Sequence, residues 1–242
     1  MNLTIDVGNT RIKLAVFAET ALLVAMVCPK DQFSTQLEKI AAKYPEITHC
    51  ILARVGGFSE KDRYLLKKQY ELLVLTNSTV LPFKNNYGTP QTLGVDRIAL
   101  AAAAVKVYPG QDVLVIDAGS CITYDFVNED GSYLGGSISP GINMRYKAVH
   151  TFTEKLPLLV PTLPLVTIGK STDQSIHSGI LQGIVFEIEG FSAMYRKKYP
   201  NLTVILTGGD AEFLRDSLKS HIFAHSNFLL EGLNYILEHN KH

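Results

Sequence analysis

Two short segments of the 242-residue chain set an acid at the end of an apolar run and follow it with glycine, hydroxyl and small polar residues. The first is Asp6-Val7-Gly8-Asn9-Thr10-Arg11-Ile12-Lys13, entered through Leu3-Thr4-Ile5; the second is Asp117-Ala118-Gly119-Ser120-Cys121-Ile122-Thr123-Tyr124-Asp125, entered through Val113 to Ile116. A carboxylate, the amides of a tight turn, a hydroxyl and an ammonium are the groups that hold a metal-bound phosphate. Asp6 suits Mg²⁺ directly or through water, Gly8 permits close approach, and Thr10 and Lys13 offer donors to phosphate oxygens. Read alone, the first segment fits a plain Gly-Asn hairpin with a solvent-facing lysine just as well, and Asp117 could simply cap its turn. The recurrence favours the phosphate reading. Neither a Walker P-loop nor the nicotinamide glycine fingerprint occurs, so the two acidic turns point to a different phosphate-binding architecture.

Asp96, in Gly94-Val95-Asp96-Arg97, opens a strong helix pattern running to Val107. A carboxylate beside a bound alcohol can take its proton as the oxygen attacks phosphorus, and Arg97 can position or neutralise an anion. The plainer reading makes Asp96 a helix N-terminal acid and Arg97 a surface residue. Tyr87, beside Gly88 and Pro90, could secure a loop or meet a ligand, and Thr172 before Asp173-Gln174-Ser175 reads as a helix-capping hydroxyl. Cys121 reads as a small packing residue. His221 and His225 have helical spacing, but Ile222 stands where a zinc-protease helix needs glutamate, and His177 and the other histidines form no ligand set.

The elements that must position these groups alternate. Apolar alternation predicts hairpins at Leu3 to Phe17 and Asp112 to Val127, each with an acid at the turn. Between them come a helix over Phe33 to Tyr44, a strand over Ile47 to Val55, a helix over Ser59 to Tyr70, and a strand at Leu72 to Leu75. The small residues Ala99 and Ala101 to Ala104 of the Asp96 helix suit close packing at a lobe junction. Lys155 to Ile168, with Pro157, Pro161 and Pro164, predicts a buried or covering loop. A long helix over Ser175 to Tyr195, a strand at Leu202 to Leu206, a turn at Gly208-Gly209 and helices over Ala211 to Lys219 and Leu229 to Leu237 complete the chain. The expectation is an α/β fold of two related lobes, residues 1–111 and 112–242.

Composition narrows the function classes. Lys and Arg total 23 against 23 Asp and Glu, which gives no basic field for nucleic acid or an anionic membrane. Lys67-Lys68 and Arg196-Lys197-Lys198 read as solvated faces. Three cysteines without paired spacing argue against a disulfide framework or structural zinc, and the apolar stretch Ala21 to Cys28 is too short to span a membrane. A cytoplasmic protein is expected, in which Asn77-Ser78-Thr79 and Asn201-Leu202-Thr203 are ordinary polar segments.

Five stretches together resemble one family: DVGNTRIK at 6–13, NNYGTPQTLGVDR at 85–97, DAGSCITYD at 117–125, GGSISPGINMR at 135–145 and TGGDA at 207–211. Across nearly its whole length the chain is similar to type III pantothenate kinases, of the actin, Hsp70 and sugar-kinase superfamily. The resemblance implies duplicated ribonuclease-H-like lobes with mixed sheets and an ATP cleft between them. It implies ATP-dependent phosphorylation of the pantothenate 4′-hydroxyl in coenzyme A biosynthesis, with Mg²⁺ and K⁺ or NH₄⁺, by a homodimer. Asp6 to Lys13, including Val7, Arg11 and Ile12, then form the first nucleotide loop, Ser120 contacts ATP, and Asp117 binds the monovalent cation. Tyr87, Gly94, Val95, Asp96, Arg97 and Thr172 fall on pantothenate-contact positions, with Asp96 the general base. The family usually carries Thr-Ala where this chain has Ser120-Cys121, and serine keeps the hydroxyl. Kinase action on another hydroxylated metabolite, or a noncatalytic regulatory role, are the competing readings; intact Asp6, Asp96 and Asp117 disfavour the latter.

Overall fold

The computed structural model describes residues 1–163, 167–219 and 222–241. Expectations resting on Pro164, His221 and His242 lie outside the described residues. The chain resolves into two compact units, one of Met1–Gly110, Asp130–Leu134 and Asn227–His242, the other of Gln111–Glu129 and Gly135–Ser226.

The first unit begins with β1 (Asn2–Val7), β2 (Arg11–Ala18) and β3 (Ala21–Pro29), followed by α1 (Phe33–Lys43), β4 (His49–Arg54), α2 (Glu60–Gln69) and β5 (Glu71–Val74). Its sheet runs β3-β2-β1-β4-β5, with β1 antiparallel to β2 and parallel to β4. Every residue of β1 is buried, as a central strand covered on both faces requires. Leu3, Ile5 and Val7 meet Phe33, Leu37 and Leu66 on one side. The short apolar stretch Ala21 to Cys28 proves to be the edge strand β3, whose side chains alternate between exposed and half-buried as far as Val27 before Cys28 turns into the core. A short strand β6 (Lys84–Asn85) and the helix α3 (Val95–Val107) follow.

The second unit repeats the order. Its strands β7 (Val113–Ala118), β8 (Cys121–Val127) and β9 (Ser132–Pro140), the last with residues 132–134 assigned to the first unit, are followed by α4 (Ile142–Thr151), α5 (Thr172–His177), α6 (Gly183–Lys198), β10 (Thr203–Thr207), α7 (Ala211–Arg215) and β11 (Phe223–Ala224). The sequence β9-β8-β7-β10-β11 matches β3-β2-β1-β4-β5 strand for strand. β7 is antiparallel to β8 and parallel to β10. The duplication read from the two acidic hairpins therefore extends to both sheets. Leu114, Ile116, Tyr124, Ile184, Ile188 and Val204 sit at the heart of this unit's core.

Several expectations change. The last helix, α8 (Phe228–His239), belongs with the first unit, although the sequence reading placed all of 112–242 in the second lobe. The cause is close helix packing: a Cβ on Gly232 would stand 1.8 Å from the Ala99 carbonyl oxygen, so only glycine lets α8 lie against the alanine face of α3. That face, expected at a lobe junction, is spent inside one unit. The long helix expected over Ser175 to Tyr195 is α5 and α6 joined by a π-helical turn, Ser178–Gln182. Of the span Lys155 to Ile168, the described residues 155–163 and 167–168 form a covering loop rather than a buried one: Leu156 and Leu159 pack against the core, while Val160 and Ile168 are 77% and 78% accessible. α7 ends at Arg215, short of the expected Lys219, and His225 follows a strand rather than lying on a helix.

Candidate active site

In the first unit β1 and β2 carry the chain into the first acidic turn. Register pairs Val7 with Ile12 and Asp6 with Lys13, and the Gly8 N–H donates to the Arg11 carbonyl at 3.1 Å, so Asn9 and Thr10 form the corner. Asn9, Thr10 and Arg11 are exposed, whereas Asp6 is only 7% accessible. Val7 and Ile12 bury their side chains in the core, which restricts any part they take in binding to their backbone. The turn leans on a loop that the sequence reading passed over. The N–H groups of Val55 and Gly56 both donate to the Val7 carbonyl at 3.2 Å, and a Cβ on Gly56 would stand 2.6 Å from the Gly8 oxygen. The signal available in the sequence was Gly56-Gly57 directly after a predicted strand.

The same unit holds Asp96 and its surroundings. Gly94 is the N-cap of α3, and Asp96 lies in the first turn, where unsatisfied amides and the positive end of the helix dipole favour a carboxylate. Asp96 Oδ1 accepts from the Arg97 N–H at 2.9 Å and occupies the space a Gly94 Cβ would need, 2.4 Å away. Arg97, expected as a surface residue on the plainer reading, is 5% accessible, with its guanidinium 5.5 Å from the centre of the Tyr87 ring. Tyr87 packs in turn on the fully buried Tyr133 at 6.0 Å, and its N–H donates to Asn85 Oδ1. Asn77, met as part of a polar surface segment, donates from Nδ2 to the Pro90 and Leu93 carbonyls and so ties down the approach to α3. Tyr87, Gly94, Val95, Asp96 and Arg97 thus form one constellation.

In the second unit the acidic turn is tighter. Ala118 pairs with Ile122 and Asp117 with Thr123, leaving Gly119, Ser120 and Cys121 to turn the chain. Ser120 is exposed and Asp117 half-buried. Two glycines back this turn. A Cβ on Gly141, at the start of α4, would meet the Gly119 and Ser120 oxygens at 2.3 and 2.5 Å, and the Gly141 N–H donates to the Ser120 carbonyl. Gly208, at φ +101°, brings its Cα so near the turn that a Cβ would lie 2.4 Å from both the Ala118 oxygen and Asp117 Oδ1. The neighbouring Asp210 N–H donates to the Ala118 carbonyl, and burial pushes the Asp210 carboxyl above its ordinary range.

Thr172 is exposed at the first position of α5, but the cap is Ser171, whose hydroxyl accepts from the Gln174 N–H at 3.2 Å. The Thr172 hydroxyl is therefore not spent on capping. Cys121 is half-buried and unpaired; Cys28 and Cys50 are buried free thiols. Among the described residues no group of three or more His, Cys, Asp or Glu converges as a metal site, and no helix is long and apolar enough to cross a membrane. Arg145 and Glu187, to which the sequence reading gave no role, meet behind the second turn.

The model of the family described as type III pantothenate kinase matches residues 2–194. A type III pantothenate kinase of Christiangramia forsetii is 53% identical over 241 residues, covering 100% of this chain and 99% of that one. One from Flavobacterium johnsoniae is 49% identical over 234 residues, covering 97% and 96%. Among solved structures, a conserved Baf family transcriptional activator from Campylobacter jejuni aligns over 98% of each chain with a TM-score of 0.64 and 26% identity. Glucokinase from an Antarctic psychrotroph aligns over 99% of each chain at 0.53, and its 12% identity speaks to the fold alone.

Proposed function

The chain belongs to the type III pantothenate kinase family, and from that premise we propose which of its residues carry the reaction. The protein is a phosphotransferase that moves the γ-phosphoryl group of ATP to the 4′-hydroxyl of pantothenate, giving 4′-phosphopantothenate and ADP for coenzyme A biosynthesis. The observation that supports the residue assignment is the constellation at the start of α3, where Asp96 and buried Arg97 on the helix stand with Tyr87 of the preceding loop, whose ring the Arg97 guanidinium faces.

Asp96 is the general base. Its Oδ1 is engaged by the Arg97 N–H, which fixes the carboxylate, and its other oxygen takes the hydroxyl proton as the pantothenate oxygen bonds to phosphorus and the bond to the ADP oxygen breaks. Arg97, desolvated against Tyr87, holds negative charge of the acid substrate, and Tyr87, Gly94, Val95 and Thr172 complete the substrate contacts. Asp6, Gly8, Asn9, Thr10, Arg11 and Lys13, with the backbone of Val7 and Ile12, form the first nucleotide loop; Ser120 donates to ATP from the second. Such preorganised donors stabilise the charge of the transferring phosphoryl group without a covalent enzyme phosphate.

The residues present fit the cations the family implies. A strand-end carboxylate such as Asp6 is how Mg²⁺ is ordinarily held beside phosphates and water. Asp117 Oδ1 and the crowded carbonyls of the second turn are an oxygen-only donor set suited to K⁺ or NH₄⁺. When bound, these ions withdraw charge from phosphoryl oxygens. A homodimer is supported by large apolar side chains left exposed between 138 and 194, among them Ile138, Phe152, Val160, Phe186 and Met194. A cytoplasmic location accords with three unpaired cysteines.

The test is a coupled phosphorylation assay with pantothenate, pantetheine, glycerol and glucose as acceptors and K⁺, NH₄⁺ or Na⁺ as the monovalent cation. Transfer to pantothenate, enhanced by K⁺ or NH₄⁺, is expected. Transfer to a sugar alone would overturn the acceptor assignment, and a solution mass of one chain would overturn the homodimer.

A further inference from the structure

Behind the second turn lies a polar network that touches none of the proposed site residues directly. Arg145, on α4, donates from Nε to the Pro140 carbonyl at 2.8 Å and from Nη2 to Ser139 Oγ at 2.9 Å. The same Nη2 reaches Glu187 Oε2 of α6 at 2.5 Å, and the Tyr124 hydroxyl donates to Glu187 Oε1 at 2.8 Å. Arg145 and Glu187 keep only 20% and 22% of their side-chain surface, and Tyr124 is fully buried. Burial pushes the Glu187 carboxyl up, but hydrogen bonds from Arg145, Tyr124 and Ser139 and the Arg145 charge bring it below the usual carboxylate value. A charge so engaged is worth more as a geometric anchor than as net stability.

What the network anchors is the end of β9. Ser139 and Pro140 lead directly to Gly141, whose N–H donates to the Ser120 carbonyl and whose Cα sits too near the Gly119 and Ser120 oxygens to carry any side chain. Glu187 orients the Arg145 fork, the fork holds Pro140, and Pro140 sets the seat on which the Gly119-Ser120 turn rests. We infer that the Glu187–Arg145 pair is a positioning device for the second nucleotide turn, governing ATP affinity from outside the site. The inference rests on the assignment of Ser120 to ATP.

Steady-state kinetics with each substrate varied separately tests it, on Glu187→Gln, Arg145→Lys and Ser120→Ala, with circular dichroism reporting the fold. Both network variants should raise the KM for ATP roughly tenfold, within the loss that about 1 Å of misplacement brings, while kcat and the KM for pantothenate stay within about twofold. Should Glu187→Gln fail to fold, Arg145→Lys carries the same test, because lysine keeps the charge but cannot fork onto Pro140 and Ser139 together. An unchanged KM for ATP in the folded network variants, or an equal rise in both KM values, while Ser120→Ala raises that for ATP, overturns the positioning role. A Ser120→Ala protein with an unchanged KM for ATP overturns instead the reading of the second turn.

Discussion

The two acidic turns descend from one plan and are finished differently. Each sets its aspartate one residue before the last strand pair, yet Asp6 faces Lys13 across its hairpin, where Asp117 faces Thr123. The first turn is one residue longer, its corner of Asn9 and Thr10 is exposed, and one loop, at Gly56, supports it. The second is shorter and wedged between Gly141 and Gly208. One strand order therefore supports an accessible turn flanked by Arg11 and Lys13 in one unit and a carbonyl-rich, closely seated turn in the other. The difference follows both from the hairpin residues, in turn length and in the partner opposite each aspartate, and from what packs behind each hairpin.

Exchanging the aspartates for asparagine separates the two most sharply. Asp6→Asn should lower kcat by about 10² to 10³-fold at every monovalent cation concentration, the loss typical of removing one charge-stabilising group. Asp117→Asn should instead flatten the dependence of rate on K⁺. Identical cation profiles for the two variants would break the comparison. Next in size, Gly208→Ala and Gly141→Ala force a Cβ against backbone oxygens and should cost about 1–3 kcal/mol in denaturant unfolding together with ATP affinity. Gly56→Ala should cost less, since of the atoms it meets one is the mobile tip of Lys30.

Cross-strand partners come third. Lys13→Met should raise the KM for ATP about tenfold. Thr123→Val should leave it unchanged but lower stability by about 1–3 kcal/mol, because fully buried Asp125 loses the donor it has at 2.8 Å. The smallest effect concerns Asp210. Its carboxyl lies above the ordinary value, so the folded protein binds that proton more tightly than the unfolded chain. The contribution of Asp210 to stability is fully present below the ordinary aspartate range and is lost as pH rises through the elevated value. Thermal melts against pH should show the wild type losing stability relative to Asp210→Asn as pH rises through this range; a constant difference between the two would contradict it.

Most of the frame was legible because period-2 and 3.6 patterns are local: the hairpins at Leu3 and Asp112 and the helices α1, α2 and α3 lie within a residue or two of expectation. β3 escaped notice because its run Ala21–Pro29 is apolar on both faces in sequence and reveals its edge position only once β2 is beside it. β9 and α4 were hidden by Gly135, Gly136 and Gly141, which interrupt the local periodic patterns. Gly136 is in fact strand backbone, where a Cβ would stand 1.5 Å from the Tyr124 carbonyl. The placement of α8 depends on a glycine–alanine contact between residues far apart in the chain, which no local window detects. The same limit applied to the site. Motifs named Asp96, Arg97 and Tyr87, but the support that Gly56 gives the first turn, the separate support that Gly141 and Gly208 give the second, and the Arg145–Glu187 pair exist only through packing.

Single-turnover transfer of labelled γ-phosphate to pantothenate by the Asp96→Asn protein, alongside its circular dichroism spectrum, tests the proton-accepting role most directly. A native spectrum with the rate lowered by about 10² to 10⁴-fold is the predicted result; a native spectrum with wild-type transfer would contradict it.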